Sequence, residues 1–319
     1  MKSIVFIALL VAYVLADGEL ASMINQQGLS WEAEENHMTR MNRNKAKSMM
    51  GTIMPKYTRY TEDEMNTITK FEQDNANDLP EEFDARDKWP KCIHPVRNQE
   101  HCGSCWAFAA SEAASDRFCI ASNGTIDVVL SPQDMVSCSW LNFGCQGGMI
   151  ANAWIYLWLT GVAPDSCVPY TAGNGTVESC PSNCKDKLTD SVSNRKFHMK
   201  YVYPVGTWFN FWNRERLIQK EILSGGSVEA GFTVYEDFLH YKTGVYKYTT
   251  GSMLGGHAIK IVGWGVDSKT GLKYWTVVNS WSESWGEKGT FKIQRGTNEC
   301  GIEGNVMSGV PNVASAPKL

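Results

Sequence analysis

The stretch Gln99-Glu100-His101-Cys102-Gly103-Ser104-Cys105-Trp106 decides how this chain is read. Gly103 and Ser104 make a turn, and Cys105 opens an alanine-rich segment, 105–120, in which Cys105, Ala109 and Ala113 share one helical face. A thiol at a helix N-terminus meets unpaired N–H groups and the positive end of the peptide dipoles, and both favour thiolate. Nucleophilic catalysis then needs a histidine to share the proton and a third group to orient its ring. Of the histidines at 37, 94, 101, 198, 240 and 257, only His257 lies in a fitting context. It sits in Leu254-Gly255-Gly256-His257-Ala258, where adjacent glycines open a β-rich stretch and permit close approach of another chain. Asn279, in Val278-Asn279-Ser280-Trp281, is the candidate orienting side chain. Alone, His257 reads as a structural histidine; Cys105 and Asn279 reverse that. His94, His101, His198 and His240 read as ordinary surface or core residues.

Composition narrows the setting. The 319 residues, 43% apolar, suffice for one large domain or two small ones. Thirty basic against 34 acidic side chains, net −4 and without a block of like charge, argue against a nucleic-acid or membrane-surface partner. Ordinary glycine and proline contents, with 12 Trp to bury, exclude collagen-like, coiled-coil and disordered classes. All 10 cysteines follow residue 91, so what precedes them is a different kind of segment. Lys2 and the apolar run 4–16, ending in small residues before Asp17, read as a secretory signal peptide too short to span a bilayer. That places the chain where disulfides form. Residues 17–78, polar and rich in Met and Asn, read as a removable pro-segment. The body, 79–319, begins at Leu79-Pro80-Glu81-Glu82.

Within the body, helices are expected at 105–120, from Pro132 with Ser131 as cap, at 151–159 and at 215–223. Glycine-punctuated strands are expected at 227–234, 257–263, 273–278 and 290–293. A helical half followed by a β half is an α+β body with a cleft between two lobes. Cys102 and Cys105 also fit a redox dithiol, though no βαβ pattern surrounds them. A zinc site at Cys180 and Cys184 lacks histidines at usable spacing.

On these residues the chain resembles the papain family of cysteine proteases, in its cathepsin B branch, from about Trp31 to Pro311. The resemblance implies a two-lobed papain-like fold, with a helical left lobe, an antiparallel β-barrel-like right lobe and the active-site cleft between them. It implies Cys105 as nucleophile, His257 as base and then acid, and Asn279 as orienter, with Trp281 shielding their hydrogen bond. Gln99 and the Cys105 N–H would form the oxyanion hole. Gaps from Cys105 to His257 and Asn279 longer than the ~130–150 residues of the shorter family members fit the larger cathepsin B body. Implied disulfides are Cys92–Cys119, Cys102–Cys145, Cys138–Cys180 and Cys167–Cys184, which leave Cys105 and Cys300 as thiols.

Gly147 and Gly148 would pair with substrate backbone, while Met149, Ile150, Gly231, Ala258 and Asn305 would form the pocket for the second residue upstream of the cut. Asn305 replaces a frequent glutamate, so apolar residues are expected there over arginine. The segment between Cys167 and Cys180 is short and holds no histidine, unlike the family's occluding loop. This implies an endopeptidase with little dipeptidyl carboxypeptidase activity. The region around Gly51 would block the cleft until acid removes the pro-segment. Asn123 and Asn174 begin glycosylation sequons. Expected partners are peptide and protein substrates, the chain's own propeptide and cystatin-like inhibitors, with a monomer, no metal and no cofactor. The expected location is the secretory pathway, ending in a lysosome-like compartment or outside the cell. A catalytically inactive, disulfide-rich binding protein of the same fold is the alternative. The aromatic run 201–212 reads as core packing.

Overall fold

The computed structural model describes residues 16–55, 60–74, 79–206 and 212–318. The expected leader, apart from Ala16, lies outside them, as do residues 207–211 of the aromatic run and residues 75–78 before the expected body. The expected pro-segment contributes helix α1 (Ala16–Gln26), strand β1 (Trp31–Ala33), helix α2 (Arg43–Ser48) and helix α3 (Glu62–Asp74). The body starts with β2 (Phe83–Asp84) and α4 (Ala85–Lys88), followed by α5 (Cys105–Ala121), α6 (Pro132–Cys138) and α7 (Ile150–Leu159). Then come β3 (Met199–Pro204), α8 (Arg214–Gly225), β4 (Val228–Tyr235), β5 (Tyr241–Tyr246), β6 (Met253–Val266), β7 (Lys273–Val278), β8 (Thr290–Gln294) and β9 (Val306–Pro311).

Helix α5 is the element on which both lobes meet. Alanines along it leave little side-chain bulk, so α6 and α7 approach from one side and strands β4, β6 and β9 from the other. Every residue from Cys105 to Cys119 is buried, and the helix has no exposed polar face. Helix α6 starts as its sequence directs: Pro132 occupies the first turn and the Ser131 hydroxyl accepts from the Asp134 N–H at 2.9 Å. Four disulfides, Cys92–Cys119, Cys102–Cys145, Cys138–Cys180 and Cys167–Cys184, tie the helical lobe.

The other lobe is built on a nine-stranded sheet in the order β1-β5-β8-β7-β6-β4-β9-β3, with β2 paired to β6 off that path. Its pairs are antiparallel except β5 with β8. The expected barrel-like closure is not formed: β1 and β3, at the ends of this order, do not pair with each other. Instead β1 of the pro-segment pairs with β5 and forms one end of the sheet, and α7 packs on β3 at the other.

Beneath the sheet lies an aromatic core in which Phe238 touches Tyr241, Tyr246, Trp281, Trp285 and Phe291 with ring centroids 4.8–6.2 Å apart. Trp31 from β1 enters this cluster, 3% exposed, and meets Tyr246 edge-on at 5.1 Å. Such rings bury large areas and gain from edge-to-face contact, so the pro-segment is anchored by core-grade packing. In the aromatic run, Tyr203 donates to the Glu221 carboxylate at 2.8 Å while Tyr201 is 49% exposed, so only part of that run is core.

Candidate active site

Cys105 begins α5, with Gly103 wedged so closely before it that a Cβ there would lie 2.4 Å from the Cys145 carbonyl oxygen. The Ser104 and Tyr170 hydroxyls share a hydrogen bond of 2.9 Å, and Tyr170 donates to the Gln99 carbonyl at 2.9 Å. These contacts hold the turn that aims the thiol. Cys102 is bonded to Cys145, so the redox-dithiol reading fails; Cys105 and Cys300 lie outside the four disulfides. Cys180 and Cys184 are likewise oxidised, which removes both from the zinc reading.

His257 sits in β6 opposite Phe232 of β4, and Asn279 immediately follows β7. The imidazole Nε2 and Asn279 Oδ1 are 2.8 Å apart, and Oδ1 also accepts from the Ser280 N–H at 2.8 Å. Trp281 lies beside the imidazole, ring centroids 4.8 Å apart. Because a neutral imidazole donates from one nitrogen only, donation by Nε2 leaves Nδ1 as an acceptor. Nδ1 has no hydrogen-bond partner among the described residues. The Gln99 amide is fixed from behind, its Oε1 accepting from the Ser280 hydroxyl at 2.7 Å. Its Nε2 donates to the carbonyls of Cys102 at 2.8 Å and Met49 at 2.9 Å.

Met49 belongs to the pro-segment, which fills the cleft. Gly148 donates to the Gly51 carbonyl at 2.8 Å and Ile53 donates to the Gly148 carbonyl at 2.9 Å, with Thr52 and Gly148 in parallel pairing. On the opposite wall the Thr52 N–H donates to the Gly256 carbonyl at 2.9 Å. The Thr52 hydroxyl lies 3.2 Å from the Cys105 sulfur. Met54 places its sulfur 3.6 Å from the Asn305 amide nitrogen, beside Gly231. Ile150 and Ala258 are buried nearby in the helical-lobe core, whereas Met149 is 41% exposed and held by its N–H to Asn142 Oδ1 at 2.9 Å. Asn123 and Asn174 are both exposed.

This covering sets the charge state. Burial pushes the Cys105 thiol above its ordinary pKa, against the opposing hydrogen bond from Thr52. Burial pulls His257 down to about 4, with the Asn279 bond acting the other way. Both shifts favour the neutral thiol and the neutral imidazole under the pro-segment. Sequence reasoning missed Thr52, Met54, Ser280 and Tyr170. The first two were within reach, because residues alternate along an extended strand and Gly51 had already been placed in the cleft. Ser280 and Tyr170 carried no pattern of their own.

A buried thiol at a helix start, an imidazole–amide pair on neighbouring strands and an amide that donates to a peptide carbonyl are what a cysteine peptidase needs. The sequence profile of the papain family cysteine proteases matches residues 79–310. Cathepsin B-like cysteine proteinase 4 of Caenorhabditis elegans is 49% identical over 261 residues, covering 75% of this chain and 77% of that one. Cathepsin B-like cysteine proteinase 5 of the same organism is 44% identical over 263 residues, covering 74% and 76%. Among solved structures, proCathepsin B S9 from Trypanosoma congolense superposes with a TM-score of 0.77 at 31% identity, covering 92% of this chain and 98% of that one. Procathepsin L2 from the Tenebrio molitor larval midgut gives 0.73 at 26% identity, covering 97% and 93%. The chain belongs to the papain family of cysteine proteases.

Gly51 is the tightest point of the plug: a Cβ on it would lie 1.8 Å from the Gly103 carbonyl oxygen. Forced overpacking costs roughly 1–3 kcal/mol, so Gly51→Ala is expected to weaken docking by about tenfold to hundredfold. Untrimmed Gly51→Ala protein should cleave a small fluorogenic peptide under conditions where the untrimmed parent is silent. A silent variant would show that the strand tolerates the added methyl.

Proposed function

We propose that the protein is an endopeptidase, made as an inhibited precursor, that cleaves peptide bonds through Cys105, His257 and Asn279. The observation that carries the reading is the Gln99 amide donating to a peptide carbonyl at the mouth of the Cys105 helix. Once the pro-segment leaves, water enters, the thiol proton passes to His257 Nδ1 and an ion pair forms at the positive end of α5. The thiolate attacks the scissile carbonyl carbon, and the oxygen gains a negative charge that Gln99 Nε2 and the Cys105 N–H stabilise. Imidazolium then protonates the departing amine as the C–N bond breaks, leaving a thioester. Water, deprotonated by His257, attacks the thioester and releases the acid and the thiol. Asn279 keeps Nε2–H pointed away from the sulfur, so that Nδ1 does the proton transfer. Cys105→Ala, assayed after trimming, is expected to lose peptidase activity; unchanged turnover would refute the assignment.

Substrate would run opposite to the pro-segment. With the Asn305 pocket taking the second residue upstream of the cut, substrate passes from Asn305 over Cys105 to Gln99, whereas the pro-segment runs from Met49 to Met54. The seat of Met54 at Asn305 and Gly231 supports an apolar preference there. Downstream of the cut, the segment 168–179 folds back on its own lobe. The Thr171 and Ala172 N–H groups donate to Gln133 Oε1 at 2.9 Å each, and the Gly173 carbonyl accepts from the His101 N–H at 2.8 Å. This supports an open downstream side. A C-terminally amidated peptide and its free acid are expected to be cut at similar rates, and arginine should not dominate at the second upstream position. Strong selection for the free acid, with dipeptides released, would overturn the endopeptidase reading.

Acid is expected to loosen the pro-segment by neutralising carboxylates. The Arg43–Glu236 and Lys242–Glu34 ion pairs between pro-segment and body lie at 2.6 and 4.0 Å. They are partly exposed and water screens such pairs, so their loss weakens docking modestly. Cys105 and His257 add nothing to this dependence, since the covered neutral pair and the ion pair of the open site hold the same single proton. Inhibition of trimmed enzyme by added propeptide should therefore weaken on acidification. An affinity that rises on acidification would contradict this. We place the trimmed enzyme in an acidic compartment of the secretory route or outside the cell. Among the described residues no helix is long and apolar enough to cross a membrane.

A further inference from the structure

Behind the cleft, on the far side of α5, the structure buries charges that the chemistry above does not use. Asp116, on the Cys105 helix, has no exposed surface. Its Oδ2 lies 2.9 Å from Lys260 Nζ in an ion pair and accepts from the Ser227 hydroxyl at 2.7 Å, and its Oδ1 accepts from the His94 N–H at 3.0 Å. Oδ1 also faces His94 Nδ1 at 2.8 Å. Lys260 belongs to β6, the strand of His257, and lies 3.7 Å from Glu112 as well. The other ring nitrogen, His94 Nε2, faces Asp127 Oδ1 at 3.0 Å. The first part of this cluster therefore joins the helix of the thiol to the strand of the imidazole, and His94 closes it.

We propose that His94 is a positioning residue, whose protonation completes this buried node and holds the Cys105 helix against the His257 strand. Both ring nitrogens face carboxylate oxygens. A carboxylate only accepts, and neutral imidazole carries one N–H and one lone pair, so one of the two contacts sets lone pair against negative oxygen. Imidazolium donates to both. Protonation also supplies positive charge to a site where Glu112 and Asp116 share one ammonium. The charged groups around the ring are Asp116 and Glu112 of α5, Lys260 of β6, and Asp127 after α5. The Arg97–Asp165 pair, 2.8 Å long, lies across a surface cavity of about 590 Å³ that His94 and Asp127 also line. Arg117, also on α5, is directed elsewhere, to Glu221 and the carbonyls of Ser227 and Gly309. The cavity gives the buried ring an exchange path for its proton.

Burial works against the charged ring, but the Asp116 and Asp127 bonds outweigh it and His94 titrates above its ordinary value. A raised value means that the stabilisation is complete below the ordinary histidine pKa and is lost as pH climbs through the raised one. The node thus fastens the lobes in acid and loosens near neutrality.

The test is the thermal midpoint of trimmed protein, with the half-life of its peptidase activity, from about pH 5 to about pH 8. The parent should lose both as pH rises. His94→Asn, neutral throughout, should sit near the parent's neutral-pH behaviour at every pH, with a several-fold shorter half-life in acid and a flattened profile. Asp127→Asn removes an exposed partner, so it leaves the core intact and moves the parent's break to lower pH. A His94→Asn profile parallel to the parent's, whatever its offset, overturns the proposal. If His94→Asn does not fold, an unmoved break in Asp127→Asn does the same. The thermal arm needs no turnover, so its failure is separate from failure of the Cys105 assignment.

Discussion

Helix α5, with the Cys105 thiol at its start, is buried between the lobes from Cys105 to Cys119. A helix buried on all sides cannot discard its charges into solvent, so Glu112, Asp116 and Arg117 must find partners in other elements. They find them in the partner lobe: Lys260 of β6, Ser227 before β4, Glu221 of α8 and the Gly309 carbonyl of β9. The same constraint fixes the cleft. Cys105 sits at one end of this helix and His257 on the strand that packs along it, so their relation is set by the burial of α5 and not by the loops at the cleft mouth.

The pro-segment acts on that fixed site through solvent as much as through contact. Its strand between Gly148 and Gly256 leaves Cys105 and His257 without exposed surface. A thiolate–imidazolium pair there would lack the water that stabilises it, so the neutral pair prevails. The strand adds a geometric block, since the carbonyl at Gln99 is Met49's and the group at sulfur is Thr52's hydroxyl. Trp31 supplies the adhesion from a distance, inside the aromatic core, so the inhibitory strand itself can be short.

Much of this was legible in the sequence. The motif at Cys105, the Ser131–Pro132 helix start and the strand 273–278 are local patterns with local causes, and the structure has them. The helix at Cys105 was readable as a helix but not as one buried all round, because its polar residues suggest a wet face until their partners are known. Strands β3, β5 and β9 escaped because their aromatic and glycine content carries no clean alternation. Barrel-like closure was expected from the resemblance; the open sheet reflects a pro-segment strand on one edge and α7 at the other, which no single stretch announces. The seat of Met54, the Ser280 support of Gln99 and the clamp on His94 join residues far apart in sequence, and those pairings exist only in the fold.

The central claim is that the pro-segment holds Cys105 as a buried neutral thiol and that its departure creates the ion pair. Alkylation of Cys105 by a small uncharged reagent, followed at about pH 5 on untrimmed and trimmed protein, tests this directly. At that pH an ordinary thiol is almost wholly protonated. The account predicts fast modification of Cys105 only in the trimmed form, with a rate that follows thiolate content as pH is varied. Equal rates in the two forms, or a trimmed enzyme that reacts only near the pKa of a free thiol, would contradict it.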